Sequence, residues 1–352
     1  DQPIIIHEFS GANWRDADCQ RWDSFVHAHA DGTFFHLSGW FRVLRDGLGH
    51  KPWYLMATQA GNVVGVLPLA EVKSLLFGHH LSGLPFCVYG GPLAANESIE
   101  TALLLAAKRL AQQQEVDDLE IRSAKPFLSE KSGEWLQKDL YFTFRRALSD
   151  DSEVNLKAIP RKQRAMVRKA VAANLHHTMD SDWQDFLYCY DTSVRNLGTP
   201  AFPRTYFKVL KEVFGAYIDI LTVRLDQQPI SSVLSFYYKD EVLPYYGGGN
   251  ERARVLAAND YMYWQLMEHA REKGVKTFDF GRSKQGTGAF AFKKNWGFEP
   301  QALPYHYHLV RAKSMPEINP NNPKYALLIS VWKKLPLSVS RMLGPLISRY
   351  VG

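Results

Sequence analysis

At 352 residues, with 46% hydrophobic and 22% charged side chains, the chain is long enough for two or three domains and too apolar for a disordered one. Its net charge of +6 suits polyanions, phosphorylated substrates or an acidic membrane surface as partners. Three widely spaced cysteines (Cys19, Cys87, Cys189) form neither a disulfide framework nor a CxxC metal pattern, and no apolar run reaches the roughly eighteen residues of a membrane span. Asp1 to Ile6 lacks the basic and apolar regions of a signal peptide, so a reducing, cytoplasmic location is expected.

In chain order, Ile4 to Phe9 reads as a strand, and Trp14 to Ala30 as a helix with Trp22, Phe25 and Val26 on one face. Ser38 is a candidate N-cap for a helix ending near Gly47. Trp53 to Thr58 and Val63 to Val72 form a hairpin around Ala60-Gly61-Asn62. Tyr89-Gly90-Gly91-Pro92 follows, then a helix from about Ser98 to Gln114 and a strand from Leu119 to Arg122. Asp150-Asp151-Ser152 reads as a boundary. Beyond it, Asp182 to Leu197 and Arg204 to Phe214 are helical, and Ile218 to Leu225 and Ile230 to Lys239 form a second hairpin. Tyr245-Tyr246-Gly247-Gly248-Gly249 answers Tyr89-Gly90-Gly91, and again a helix (Asn259 to Lys273) and a strand follow.

The same order of elements thus occurs twice, an internal duplication of an α+β unit. We divide the chain at 1–150, 151–315 and 316–352. The last part holds a Pro/Asn linker, Pro316 to Pro323, and two basic apolar segments with no acid, Tyr325 to Leu335 and Leu337 to Val351. Such helices either pack on the body with their lysines in water or lie in a membrane interface.

The candidate active site falls between Tyr245 and Tyr307, where glycines end two apolar strands and Tyr246, Asp279, Arg282, Ser283 and Lys293 converge. Lys293, after Phe292, can stabilise an oxyanion or a phosphate; of Lys293 and its neighbour Lys294, only one can face a pocket. Asp279 is either a base or the partner of Arg282. Between Lys157 and Lys169 there are six basic residues and no acid, with Arg161, Arg164 and Arg168 on one helical face able to hold phosphates, tRNA backbone included. His306 and His308 share one side of a strand, but no third ligand stands near, so no metal site is expected. No Ser–His–Asp ordering, zincin motif or P-loop occurs.

Phe35-His36-Leu37-Ser38-Gly39-Trp40, Tyr89-Gly90-Gly91-Pro92, the basic helix, Tyr246-Gly247-Gly248, Asp279-Phe280-Gly281 and Phe292-Lys293 together resemble the FemAB/FemX peptidyltransferases. The branch they most resemble is the FemAB-like one found beside exosortase (PEP-CTERM) exopolysaccharide loci. The resemblance covers roughly residues 30 to 310. It implies two tandem GNAT-like domains, mixed central sheets flanked by helices, and aminoacyl or acyl transfer to an amine of a UDP- or lipid-linked envelope precursor. It implies no tightly bound cofactor, with aminoacyl-tRNA or acyl-CoA as co-substrate. By position it makes Lys293 catalytic, beside the candidates Asp279 and Arg282 read from the residues themselves, and Arg42 the holder of a diphosphate. Tyr206 and Tyr246 become precursor contacts, beside Trp40, Arg204 and Phe292. Phe202 falls where the family has an arginine, leaving Arg204 the nearest substitute, and the long helical-hairpin arm of Gram-positive members has no counterpart. Two other readings stay open. One is an acetyl-CoA-dependent N-acetyltransferase, although Arg252 to Ala258 lacks the glycine of a pyrophosphate loop. The other is a non-catalytic envelope-assembly scaffold, peripheral on the inner membrane through its tail.

Overall fold

Apolar periodicity and turn chemistry set the first half of the chain. β1 (Ile4–Phe9) leads to α1 (Asp16–Ala28), which buries Trp22 and Val26 one turn apart. α2 (Gly39–Arg42) continues in wider turns to Gly47. Ser38 does not cap it: its N–H and its hydroxyl both donate to the Asp23 carboxylate, each at 2.7 Å. β2 (Lys51–Gln59) and β3 (Asn62–Ser74) make the expected hairpin, with Ala60 and Gly61 at φ of 51° and 81° in its turn. β4 (Gly78–Gly83) and the short β5 (Leu93–Ala94) pair with β3. The Asn96 side chain accepts the Ile99 N–H to cap α3 (Glu97–Gln113), which crosses over to β6 (Asp118–Arg122), parallel to β4. β7 (Leu136–Lys138) follows.

The second half repeats this plan. β8 (Tyr141–Ala147), α4 (Ser152–Ala158), the basic α5 (Arg161–Ala172) and β9 (His176–Asp180) precede α6 (Trp183–Leu197) and α7 (Arg204–Phe214). β10 (Ile218–Leu225) and β11 (Gln228–Tyr238) form the second hairpin, and β12 (Glu241–Gly249) pairs with β11. After α8 (Glu251–Val255), α9 (Ala258–Glu272) crosses over to β13 (Thr277–Lys284), parallel to β12. α10 (Gly288–Asn295), β14 (Pro300–Ala302) and β15 (Tyr305–Leu309) complete the body, and α11 (Pro323–Lys333) and α12 (Leu337–Ser348) form the tail. The computed structural model describes residues 2–129, 134–180, 183–316 and 323–351, so most of the linker and the first residue of the expected helix at Asp182 lie outside the described residues.

The two sheets run β1-β2-β3-β4-β6-β15-β7 and, in the same sense, β9-β10-β11-β12-β13-β8-β14. The α+β duplication is there, with mixed sheets flanked by helices, but the division at 150 does not follow the sheets. β8 lies before that position and pairs with β13; β15 lies in the 151–315 segment and pairs with β6. Each half is finished by a strand that chain order assigns to the other, which pattern order alone cannot reveal. The first-half counterpart of β12 is β4, the strand feeding the crossover helix. Tyr89-Gly90-Gly91 is irregular chain beyond it, where Gly90 N–H donates to the Arg122 carbonyl at 2.9 Å. The halves also share a core, since Phe34 and Trp40 pack against Phe214 and Phe236. The tail packs on α6: Trp332 Nε1 donates to the Thr199 carbonyl at 3.0 Å and Arg341 to Asp191 at 2.7 Å.

Candidate active site

β12 and β13 pair only at Glu241–Thr277 and Val242–Phe278, and their far ends part. Tyr245 is the extra residue of a bulge in β12, where the register with β11 skips it. A cavity of about 430 Å³ occupies the gap, walled by Pro244 to Gly247 of β12, Phe280 to Arg282 of β13, Tyr263 of α9 and Lys293 of α10. Phe86 and Val88 reach it from the first half, and Val351 from the tail. Its size suits a small-molecule or reactive-group site.

β13 carries its own irregularity. The register against β8 shifts between Asp279 and Arg282, with Gly281 at φ 74°, a conformation glycine adopts without strain. Asp279 is fully buried and accepts the Gly281 N–H at 2.7 Å, the Tyr89 hydroxyl at 2.8 Å and Arg145 Nη1 at 3.0 Å. Asp279 therefore pairs with Arg145, its cross-strand neighbour on β8, and not with Arg282. It is also absent from the cavity wall, so the expected base is a bolt between the halves. Arg282 lies 4.6 Å over the Tyr141 ring and donates to the Tyr305 hydroxyl at 3.4 Å; among the described residues it makes no ion pair. Ser283 is buried beside it, outside the cavity wall.

Thr287 caps α10 by accepting the Phe290 N–H, and the helix turns Lys293 inward while Lys294 is exposed. Lys293 Nζ donates to the Arg282 carbonyl at 3.1 Å. Burial lowers its pKa from the ordinary 10.5 to about 8; Asp279 opposes the shift and Arg282 adds to it. Among the described residues no carboxylate side chain lines the cavity, and Lys293 and Arg282 are the cations on its wall.

Tyr246 lines the cavity, and its hydroxyl lies 2.6 Å from that of the fully buried Tyr206. Burial raises both phenols well above their usual value, so both stay protonated. The other expected contacts lie elsewhere. Trp40 is sealed in the shared core at 0% exposure, and Phe292 packs against Tyr263, Phe280 and Trp296 outside the cavity wall. Arg42 is half-exposed and pairs with Glu212 at 2.8 Å and Asp46 at 3.5 Å. Arg204 pairs with Asp191, the same carboxylate that holds Arg341 of the tail. On α5, Arg161 and Arg168 are exposed and Arg164 is half-buried, while Val167 and Ala170 face inward. None of the three arginines makes an ion pair among the described residues. His306 is buried and stacks on Phe127 at 4.0 Å, and no metal-holding cluster of His, Cys, Asp or Glu occurs among the described residues.

Sequence reasoning gave Tyr245 only as the start of the stretch and passed over Tyr263, Phe86 and Val88. Tyr245 donates its hydroxyl to the Phe86 carbonyl, joining β12 to the first half. The apolar run Pro85-Phe86-Cys87-Val88 ahead of Tyr89 was the available signal, but nothing in it announced a role in the second half's cavity.

The family model described as an acetyltransferase (GNAT) domain matches residues 145–294, the stretch that builds this cavity. FemX superposes with a TM-score of 0.63 at 16% identity, over 92% of this chain and 100% of that one. A tandem GNAT protein from the clavulanic acid biosynthesis pathway superposes with a TM-score of 0.57 at 13% identity, over 90% and 100%. The chain has the tandem GNAT fold. A lipid II:glycine glycyltransferase of Staphylococcus haemolyticus (strain JCSC1435) is 36% identical over 59 residues, 15% of this chain. The match spans only 14% of that relative's length.

Proposed function

We propose that this protein is a FemAB-like acyltransferase that moves an aminoacyl or other acyl group onto an amine of a cell-envelope precursor. The observation that carries the reading is the cavity between β12 and β13, where Lys293 and Arg282 stand with no carboxylate side chain on the wall among the described residues. The substrate amine attacks the carbonyl carbon of an activated ester, and the developing oxyanion is stabilised by the Lys293 ammonium and the Arg282 guanidinium. Collapse forms the amide and breaks the ester, and the amine proton leaves with the departing alcohol. No covalent enzyme intermediate is needed. The buried Cys87 and Cys189 thiols are pushed up by desolvation, Cys189 to about 12, and supply no thiolate.

The segment between β12 and α9, where an acyl-CoA pyrophosphate would meet a helix N-terminus, is occupied by α8, and the first turn of α9 carries Asp260. Both features favour aminoacyl-tRNA over acyl-CoA as donor, with Arg161, Arg164 and Arg168 of α5 as the tRNA-facing residues. The acceptor is a UDP- or lipid-linked precursor, either a peptidoglycan stem peptide or an exopolysaccharide-related amine. The protein works at the cytoplasmic face of the inner membrane, touching it through the tail.

The test supplies a UDP-linked muropeptide with either aminoacyl-tRNA or acetyl-CoA and follows acceptor mass. An aminoacyl increment supports this reading. An acetyl increment alone would move it to an N-acetyltransferase, which the family-model match favours. No increment with either donor would leave a scaffold.

A further inference from the structure

At one end of the first sheet, β3 and β4 outrun their neighbour. Lys51, the first residue of β2, pairs with Glu71, and β3 continues alone with β4 to Ser74 before turning. The turn presents Leu75 at 106% and Leu76 at 84% exposure, the most exposed large apolar side chains among the described residues. It is an ordered turn, since the Ser74 hydroxyl oxygen accepts the N–H of Leu76 at 3.2 Å and of Phe77 at 3.4 Å.

The turn has charged neighbours of both signs. Lys73 and Lys51 are exposed; Glu71 pairs with His79 at 2.6 Å and Asp118 with His80 at 2.8 Å, and Asp117 accepts the His79 N–H at 2.9 Å. The tail offers a matching surface. Leu327, Leu328, Met342 and Leu346 are each more than 60% exposed, and residues 323–351 contain five Lys or Arg and no acid. His50, immediately before β2, donates Nε2–H to the Arg349 carbonyl at 2.5 Å, so the tail is tied to the same end of the sheet as the leucine turn. Two exposed apolar elements set among lysines have the composition of an interfacial anchor on anionic lipid.

We propose that the Leu75–Leu76 turn is a membrane wedge that, with the outer face of α11 and α12, docks this end of the protein on an anionic bilayer. The proposal deepens the peripheral reading above, which rested on the tail alone. A convex pair of leucines on a narrow hairpin enters lipid without needing a shaped partner. Because Val351 follows the docked tail and lines the cavity, docking brings the site to the surface from which a lipid-linked acceptor would be drawn.

The experiment is flotation of the full chain with phosphatidylcholine vesicles, with and without phosphatidylglycerol. The expected result is flotation with the anionic vesicles, weakened by salt, and a loss of about tenfold or more in bound fraction for Leu75→Ser/Leu76→Ser. The turn is solvent-exposed, so an unchanged melting temperature separates loss of binding from loss of fold. Protein left at the bottom with both vesicles, or a double variant that floats like the parent, overturns the proposal. So does a dimer in light scattering that the double variant dissociates, because the leucines then face a second copy. Acyl transfer to a soluble UDP-linked acceptor, measured without vesicles, reports on the enzyme reading separately.

Discussion

The ammonium of Lys293 is hydrogen-bonded, at 3.1 Å, to the carbonyl of Arg282, the residue that brings the second cation to the cavity. One short β13–α10 connection therefore fixes both charges, the guanidinium by stacking on Tyr141 and the ammonium by the main chain. Paired donors held before the reaction need no reorganisation when charge develops.

Removing the ammonium with Lys293→Met is expected to lower kcat by about 10²–10³ with a small change in KM. The pH dependence follows from its lowered pKa. Below about 8 the lysine is charged and the rate is held; above it the proton leaves and the rate falls. Lys293→Arg should keep part of the rate and move that limb upward, because a guanidinium stays protonated. A rate that instead rises through pH 8 would assign Lys293 as a base. The same shift makes stability increase with pH between about 8 and 10.5, where the unfolded chain binds more protons than the folded one.

Asp279→Ala is expected to act on stability. The carboxylate is fully buried and ion-paired with Arg145, which is itself 30% exposed and also paired with Glu241. Loss of one partner of a buried pair costs about 3 kcal/mol, at the low end of the usual range because Arg145 keeps Glu241 and some water. Urea unfolding should show this, with kcat nearly unchanged well below the melting temperature. Unaltered stability with lost activity would return Asp279 to the chemistry.

The contrast between these two residues shows what the sequence makes legible. Local signals located the hairpins, the crossover helices and the Asp279 to Lys293 stretch, because alternation, turn residues and caps are properties of near neighbours. Lys293 could be separated from Lys294 as one of two, since a helix allows only one of them inward. The partner of Asp279 was hidden because Arg145 lies on β8, a strand whose sheet cannot be read from chain order. Trp40 misled for a related reason: an aromatic near glycine has the same signature in a pocket wall and in a core shared by two halves. The leucine turn was passed over because β4, with its glycine and histidines, does not alternate cleanly.

Asp191 links the body to the tail, holding Arg204 and Arg341 with a carboxylate that is 1% exposed. Both arginines are over 40% exposed, so Asp191→Ala should cost only about 1 kcal/mol in global stability. The local effect should be larger, since this ion pair and the His50 bond to Arg349 tie α12 down. Limited trypsin digestion is expected to cut faster after Lys333, Lys334 and Arg341 in the variant. Equal cleavage rates would mean that apolar packing around Gly344 and Ala201 suffices to hold the tail.

Charge reversal on α5 separates the two donors. Arg161 and Arg168 are exposed and unpaired among the described residues, and the helix buries its opposite face through Val167 and Ala170, so Arg161→Glu/Arg168→Glu should leave the fold intact. If tRNA lies along this face, each arginine that neutralises a phosphate contributes about 0.7–0.9 to the slope of log affinity against log salt. The double variant should then raise KM for aminoacyl-tRNA and flatten that slope by about 1.5. Transfer from a minimal aminoacyl ester too short to reach α5 should be unaffected, because the cavity residues are untouched. A variant that loses both donors equally would place the damage in the fold, and one that loses neither would remove α5 from the donor path.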